Sequence, residues 1–177
     1  MNPAFELSEY QRRLTKVRTA MSDKELDALV IGDPANMNWL TGFDAWSFYV
    51  PQVMLVLHDH PPVWLGRQMD AGSVALTTHL GPESVRPYAE DLVQRDGVHP
   101  MDAIGTSLAE FHLEGKRVGF ESDTYFFSFK AVERLQAKLS GAIWVDADLL
   151  VNWCRAVKSD VEIEAMRGAA RIASHVM

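Results

Sequence analysis

The chain has 177 residues, 47% hydrophobic and 23% charged, with a net charge of -7 at neutral pH; this is enough sequence for one domain with a sizeable core, and its composition excludes long disorder. No basic run interrupts the acidic balance, which argues against a nucleic-acid surface. The single cysteine, Cys154, excludes a disulfide framework or multi-cysteine zinc site, no apolar run approaches a membrane span, and the N-terminus lacks a signal-peptide pattern, so the cytoplasm is the expected compartment.

In chain order, "SEYQ" at Ser8–Gln11 has capping-box form, and Tyr10, Leu14, Val17 and Met21 follow on one helical face. "DALVIG" is a short continuous apolar run, the mark of a strand covered on both faces. Asp33 and Pro34 then form a cap and first helical residue, and the helix should end near Leu40 with Gly42 as its left-handed stop. "VMLVL" at 53–57 and "VWL" at 63–65 predict a hairpin across the turn "HDHPP".

Residues 68–79 read as a helix stopped by Gly81-Pro82, and "SVRPY" at 84–88 as a weaker strand. Pro100 opens a helix with Met101, Ile104, Leu108 and Phe111 on one face and Gly115 closing it. "RVGFE" is a strand, a helix carrying Phe129, Val132, Leu135 and Leu139 follows, and "AIWV" is the next strand. Strands alternating with helices predict an α/β domain over residues 1–150, a mixed β-sheet layered by helices on both faces.

Residues 151–177 behave differently. A short helix breaks near Lys158, and a second capping box, "SDVE" at Ser159–Glu162, starts a helix with Ile163, Met166, Ala170 and Ala173 at helical spacing. The sequence stops in mid-helix, which predicts a piece of a longer protein.

Candidate chemistry is sparse. His58, Asp59 and His60 could ligate a metal, but their place in a hairpin turn before two prolines favours a solvated turn. Asp146 and Asp148 could hold a cation, though Asp146 better fits a helix cap. Cys154, among apolar neighbours, reads as a buried inert thiol, and His99, His112 and His175 as structural or solvated. There is no nucleophile elbow, phosphate loop or G-x-G-x-x-G.

The exception is "NMNWLTGFDAWSFY" at 36–49. Packing spreads aromatics at period two or 3.6, whereas Trp46, Phe48 and Tyr49 crowd a turn, with Asp44 beside them and Gln52 soon after. Aromatic faces with a carboxylate suit a small ligand bearing a cationic or amidine-like centre. A hydrophobic plug or a subunit contact is the competing reading.

Two stretches carry a family resemblance. "RRLTKVRTAMSDKELDALVIGDPANMNWLTGF" resembles the opening of creatinase/prolidase-type proteins, with Trp39 where that pattern usually has tyrosine. "DLLVNWCRAVKSDVEIEAMRGAARIA" is similar to the linker and first helix of their pita-bread catalytic domain. Within the family, "NWLTGFDAWSFYVPQ" and "ESDTYFFSF" look most like the ectoine hydrolase/creatinase branch.

The resemblance implies a ribonuclease-H-like N-terminal layer that helps form a homodimer and reaches over the partner subunit's active site. It implies no catalytic residue and no metal ligand in this chain. The catalytic set belongs to the pita-bread domain: two aspartates, a histidine and two glutamates with a divalent metal (Mn, Co or Zn) in the peptidases, or a histidine without metal in creatinase. Substrate-binding candidates contributed to the partner are Asp44, Trp46, Phe48 and Tyr49, with Arg67 a further one that could pair a carboxylate bidentately. Three functions follow: a C–N hydrolase of a small solute, a metal-dependent Xaa-Pro peptidase, or a free-standing binding domain.

Overall fold

Every residue of the run Ala28–Ile31 is buried, and this strand, β1, organises the molecule. The computed structural model describes residues 3–45 and 49–177; the candidates Trp46 and Phe48 lie outside the described residues. Antiparallel β2 (Val53–Leu57) flanks β1 on one side and parallel β5 (Arg117–Phe120) on the other. With β3 (Val63–Arg67), β4 (Val85–Tyr88) and β6 (Ile143–Asp146) the six-stranded sheet runs β4-β3-β2-β1-β5-β6. The hairpin β2–β3 is antiparallel, while β3–β4 and β5–β6 are parallel.

Successive strand residues point to opposite faces, and the two cores follow that alternation. Leu29, Ile31, Met54, Val56 and Trp64 pack on one side with α1 (Leu7–Asp23), α2 (Pro34–Thr41), α3 (Ala71–Thr77) and α6 (Leu150–Ala156). Ala28, Val30, Val53, Leu55 and Val63 pack on the other with α4 (Pro100–Ala109) and α5 (Phe129–Lys138). The expected mixed sheet with helices on both faces is what the chain forms. No helix of the described residues is long and apolar enough to cross a membrane.

Local rules account for most element ends. Asp33 accepts from Ala35 N at 2.7 Å, Pro34 opens α2, and Gly42 ends it at φ 86. A Cβ on Gly42 would lie 2.7 Å from the Thr77 carbonyl oxygen, so glycine is required both for conformation and for space. The second capping box is complete: Ser159 Oγ accepts from Glu162 N, and Glu162 accepts from Ser159 N at 2.7 Å, opening α7 (Asp160–Val176).

Several expectations need correction. Helix α1 starts at Leu7 with Glu6 at its cap, so Ser8 sits inside the first turn and does not cap. Residues 68–79 divide into a 3-10 turn, Gln68–Asp70, and α3. Helix α4 ends at Ala109, before Phe111, and Gly115 at φ 71 turns the chain into β5 instead of closing the helix. In α5 the buried row is Ala131, Leu135 and then Leu139, which leaves Phe129 87% exposed. Asp146 closes a local turn, accepting from Asp148 N and from Ser122 Oγ, and does not cap α6.

Candidate functional site

The richest polar constellation lies where α1, α2 and α7 meet. Arg13 is only 2% exposed although it carries a full charge. Its Nε donates to Glu9 Oε1 at 2.9 Å and its Nη1 to the Trp39 carbonyl at 2.7 Å. Nη2 lies 3.1 Å from Glu162 Oε1 as an ion-pair contact without hydrogen-bond alignment. The guanidinium also stacks among Phe5, Tyr10 and Trp39, at 4.4, 5.2 and 5.3 Å from the ring centroids.

Both carboxylates are held ionised. Hydrogen bonding from Arg12 outweighs burial and, with Arg13 and Ser159, pulls the Glu9 pKa down to about 2. Burial pushes Glu162 upward, but the Ser159 backbone N–H, the Trp39 indole N–H and the Arg13 charge prevail and lower it. Ser159 Oγ also donates to Glu9 Oε1 at 3.0 Å, tying residues 150 positions apart. The start of α7 is thus latched to α1 and α2.

Beside this latch opens a cleft of about 950 Å³. Phe5, Trp39 and Phe43 supply apolar wall, Arg155 and Lys158 positive charge, and Asp33 and Asp44 negative charge. Its floor is wired to a buried acid. Glu121 Oε2 accepts from Gly32 N and Asp33 N at 3.2 and 3.3 Å, and Oε1 accepts from Asn36 Nδ2. Asn36 in turn donates to Asn152 Oδ1 and accepts from Arg155 Nη1 at 2.6 Å. Burial raises the Glu121 pKa to about 7, against the lowering effect of those backbone and Asn36 donors.

The sequence candidates divide between locations. Asp44 is exposed on the large cleft, its backbone N–H donating to Thr77 Oγ1 at 3.1 Å. Tyr49 is 65% exposed and borders a second, smaller cavity. Arg67 borders neither: its fork grips Asp70 with two 3.0 Å bonds, and Glu90 lies 4.0 Å away. The bond to Asp70 raises its pKa, with a smaller contribution from Tyr49.

The metal alternatives do not fit. His58 Nε2 is bonded to the Leu26 carbonyl and His60 Nδ1 to the Pro61 carbonyl, while Asp146 is spent on its turn. Among the described residues no three His, Cys, Asp or Glu side chains group as ligands. Cys154 is buried, its thiol directed at the Lys16 carbonyl oxygen 3.9 Å away, and burial raises its pKa away from thiolate chemistry.

Sequence reasoning missed Arg13, Glu121 and Asn36 as buried polar centres. The available signals were Glu9 and Arg13 at i,i+4 and a glutamate directly after an apolar strand.

The profile of the Creatinase/Prolidase N-terminal domain family matches residues 13–157. The chain is 47% identical to an ectoine hydrolase of Halomonas elongata, over 95% of this chain and 42% of that protein. It is 38% identical to an uncharacterised hydrolase/peptidase of Sinorhizobium fredii, over 98% of this chain and 44% of that one. Among solved structures, an Xaa-Pro dipeptidase from Bacillus anthracis superposes with TM-score 0.70 at 16% identity, covering 93% of this chain and 41% of that chain; this likeness is one of fold. The chain spans less than half the length of these relatives.

Proposed function

The chain belongs to the creatinase/prolidase N-terminal domain family, and from that premise we propose that it is the non-catalytic N-terminal part of a cytoplasmic hydrolase that cleaves a C–N bond of a small solute, as an ectoine hydrolase does. The observation that carries this reading is the 47% identity to such an enzyme across 95% of the chain. In this reading residues 1–150 form the N-terminal domain and residues 151–177 the linker and first helix of a catalytic domain. The exposed Val161, Met166, Ile172 and Val176 along α7 support that division, since they suit a surface that further chain covers.

The domain's own tasks are homodimer formation and closure of the partner subunit's substrate site through Asp44–Tyr49. The Arg13 latch fits the division between the two parts, because it anchors the start of α7 to α1 and α2. Any divalent metal would be held by residues outside this chain.

The test is an assay of the full-length protein and of this chain alone against ectoine, creatine and Xaa-Pro dipeptides. Cleavage of ectoine by the full-length protein only is the expected result. Turnover by the isolated chain refutes the division of labour, and Xaa-Pro cleavage without ectoine cleavage refutes the solute reading. In the full-length protein Trp46→Ala should raise KM about tenfold with unchanged melting temperature, the loss of one partly desolvated cation–π contact.

A further inference from the structure

On the α4/α5 side, beyond the end of β1, lies a cavity of about 200 Å³, room for roughly six or seven waters at ~30 Å³ each. Gln52, His99, Ser128, Tyr49 and Tyr125 line it, and no acidic side chain does among the described residues. Gln52 is the anomaly. It is 6% exposed, and neither its Nε2 nor its Oε1 has a hydrogen-bond partner among the described residues. A carboxamide buried with both ends unpaired is costly, and native folds keep few.

The polar groups around it present donors. His99 Nδ1 accepts from Met101 N at 3.1 Å, so the neutral ring carries its proton on Nε2. Burial favours that neutral ring by lowering the His99 pKa. Ser128 Oγ accepts from Ala131 N at 3.1 Å, which leaves the hydroxyl proton free to donate. His99 and Ser128 are the N-caps of α4 and α5, so two ten-residue helices turn their positive ends to one cavity. The acid in the first turn of α4, Asp102, is neutralised by Arg134 at 2.8 Å.

A bare anion would satisfy these donors and still leave Gln52 Oε1 unpaired. A carboxylate with an adjacent N–H satisfies both ends. We propose that this cavity binds a small carboxylate bearing a neighbouring N–H, of the free or N-acylated amino-acid class. Gln52 Nε2 donates to the carboxylate, and Gln52 Oε1 accepts from the ligand's N–H. Tyr49 and Tyr125, 65% and 104% exposed, form an aromatic rim over the entrance. The site shares Tyr49 with the hydrolytic reading but does not depend on it, since Gln52, His99 and Ser128 lie outside residues 44–49.

The test follows the Gln52 side-chain amide pair of the 177-residue chain by ¹H–¹⁵N correlation NMR during titration with N-acetylglycine, acetate and acetamide. N-acetylglycine should shift the pair saturably, acetate should bind about tenfold more weakly for want of the N–H, and acetamide should not bind. Gln52→Leu should weaken N-acetylglycine by about tenfold or more, read from its effect on ligand relaxation. His99→Asn keeps a capping side chain while removing the imidazole N–H, and should weaken all carboxylates alike. Failure of both carboxylates to bind, undiminished binding by Gln52→Leu, or equal binding of acetamide and acetate each overturns the proposal.

Discussion

Arg13→Met tests the latch directly. Methionine has nearly the length of the arginine stem and can occupy the space among Phe5, Tyr10 and Trp39, so little cavity forms. What disappears is the charge facing Glu9 at 2.9 Å and Glu162 at 3.1 Å. Removing one partner of a buried ion pair costs about 3–5 kcal/mol, because the other charge is stranded. Arg12 still reaches Glu9 at 2.7 Å and Glu162 at 3.9 Å, which places the expected cost at the lower end, about 3 kcal/mol. For a chain of this size that is a fall in melting temperature of roughly 6–12 °C. The measurement is urea unfolding followed by circular dichroism, with thermal melts beside it. If stranded carboxylates are the cause, adding Glu9→Gln and Glu162→Gln to Arg13→Met should recover about 1–2 kcal/mol. A single-variant cost below ~1 kcal/mol, the range of an exposed surface pair, or a triple variant no more stable than the single one, refutes the reasoning.

Further consequences are testable on the same chain. Glu121, raised to about 7, favours folding when protonated: its contribution is full below pH 4.5 and is lost as pH rises through 7. Glu9, lowered to about 2, works in the opposite window, contributing above pH 4.5 and failing as pH falls toward 2. Urea midpoints should therefore peak near pH 4–5, and Glu121→Gln should flatten the neutral limb while the acid limb stays. Gly42→Ala forces a side chain into φ 86, with its Cβ 2.7 Å from the Thr77 oxygen and 2.8 Å from the Tyr10 hydroxyl, and should cost about 1–3 kcal/mol by denaturant titration. Trp39→Phe removes the indole N–H that Glu162 accepts, and should destabilise the chain by about 1–3 kcal/mol while raising the Glu162 pKa in a carboxylate NMR titration.

The sequence made the frame legible where one local rule acts without a rival. The apolar run of β1, the Asp33–Pro34 start and Gly42 stop of α2, and the Ser159–Glu162 box all appear as read. Errors arose where two local patterns competed. "SEYQ" satisfies the capping-box pattern, yet the helix begins two residues earlier, with Glu6 at the cap, and leaves Ser8 no free N–H to cap. In α5 Leu135 and Leu139 are buried as read and Val132 packs against the core, but at the start of the helix small Ala131, not large Phe129, is buried. The buried polar centres were illegible for a different reason. Whether Arg13 or Glu121 is buried depends on partners such as Glu162, Gly32 and Asn36, brought together by tertiary packing, and periodicity carries no such information. Of the aromatic turn, Asp44 and Tyr49 are now placed on two different cavities, and Arg67 is committed to Asp70.

The two cavities share one piece of architecture. Strand β1 has a parallel neighbour on one side and an antiparallel one on the other, so the sheet changes direction at its carboxyl end, the kind of place where α/β sheets open a crevice. Asp33 borders the large cleft and Gly32 the small cavity, and Phe126 borders both. Between them Glu121 holds the backbone N–H groups of Gly32 and Asp33. A Cβ on Gly32 would lie 2.9 Å from the Phe127 ring, so that ring packs directly against the Gly32 backbone. Glu121 thus braces two backbone positions that border the two spaces and, through Asn36, is linked to Arg155 on the larger one.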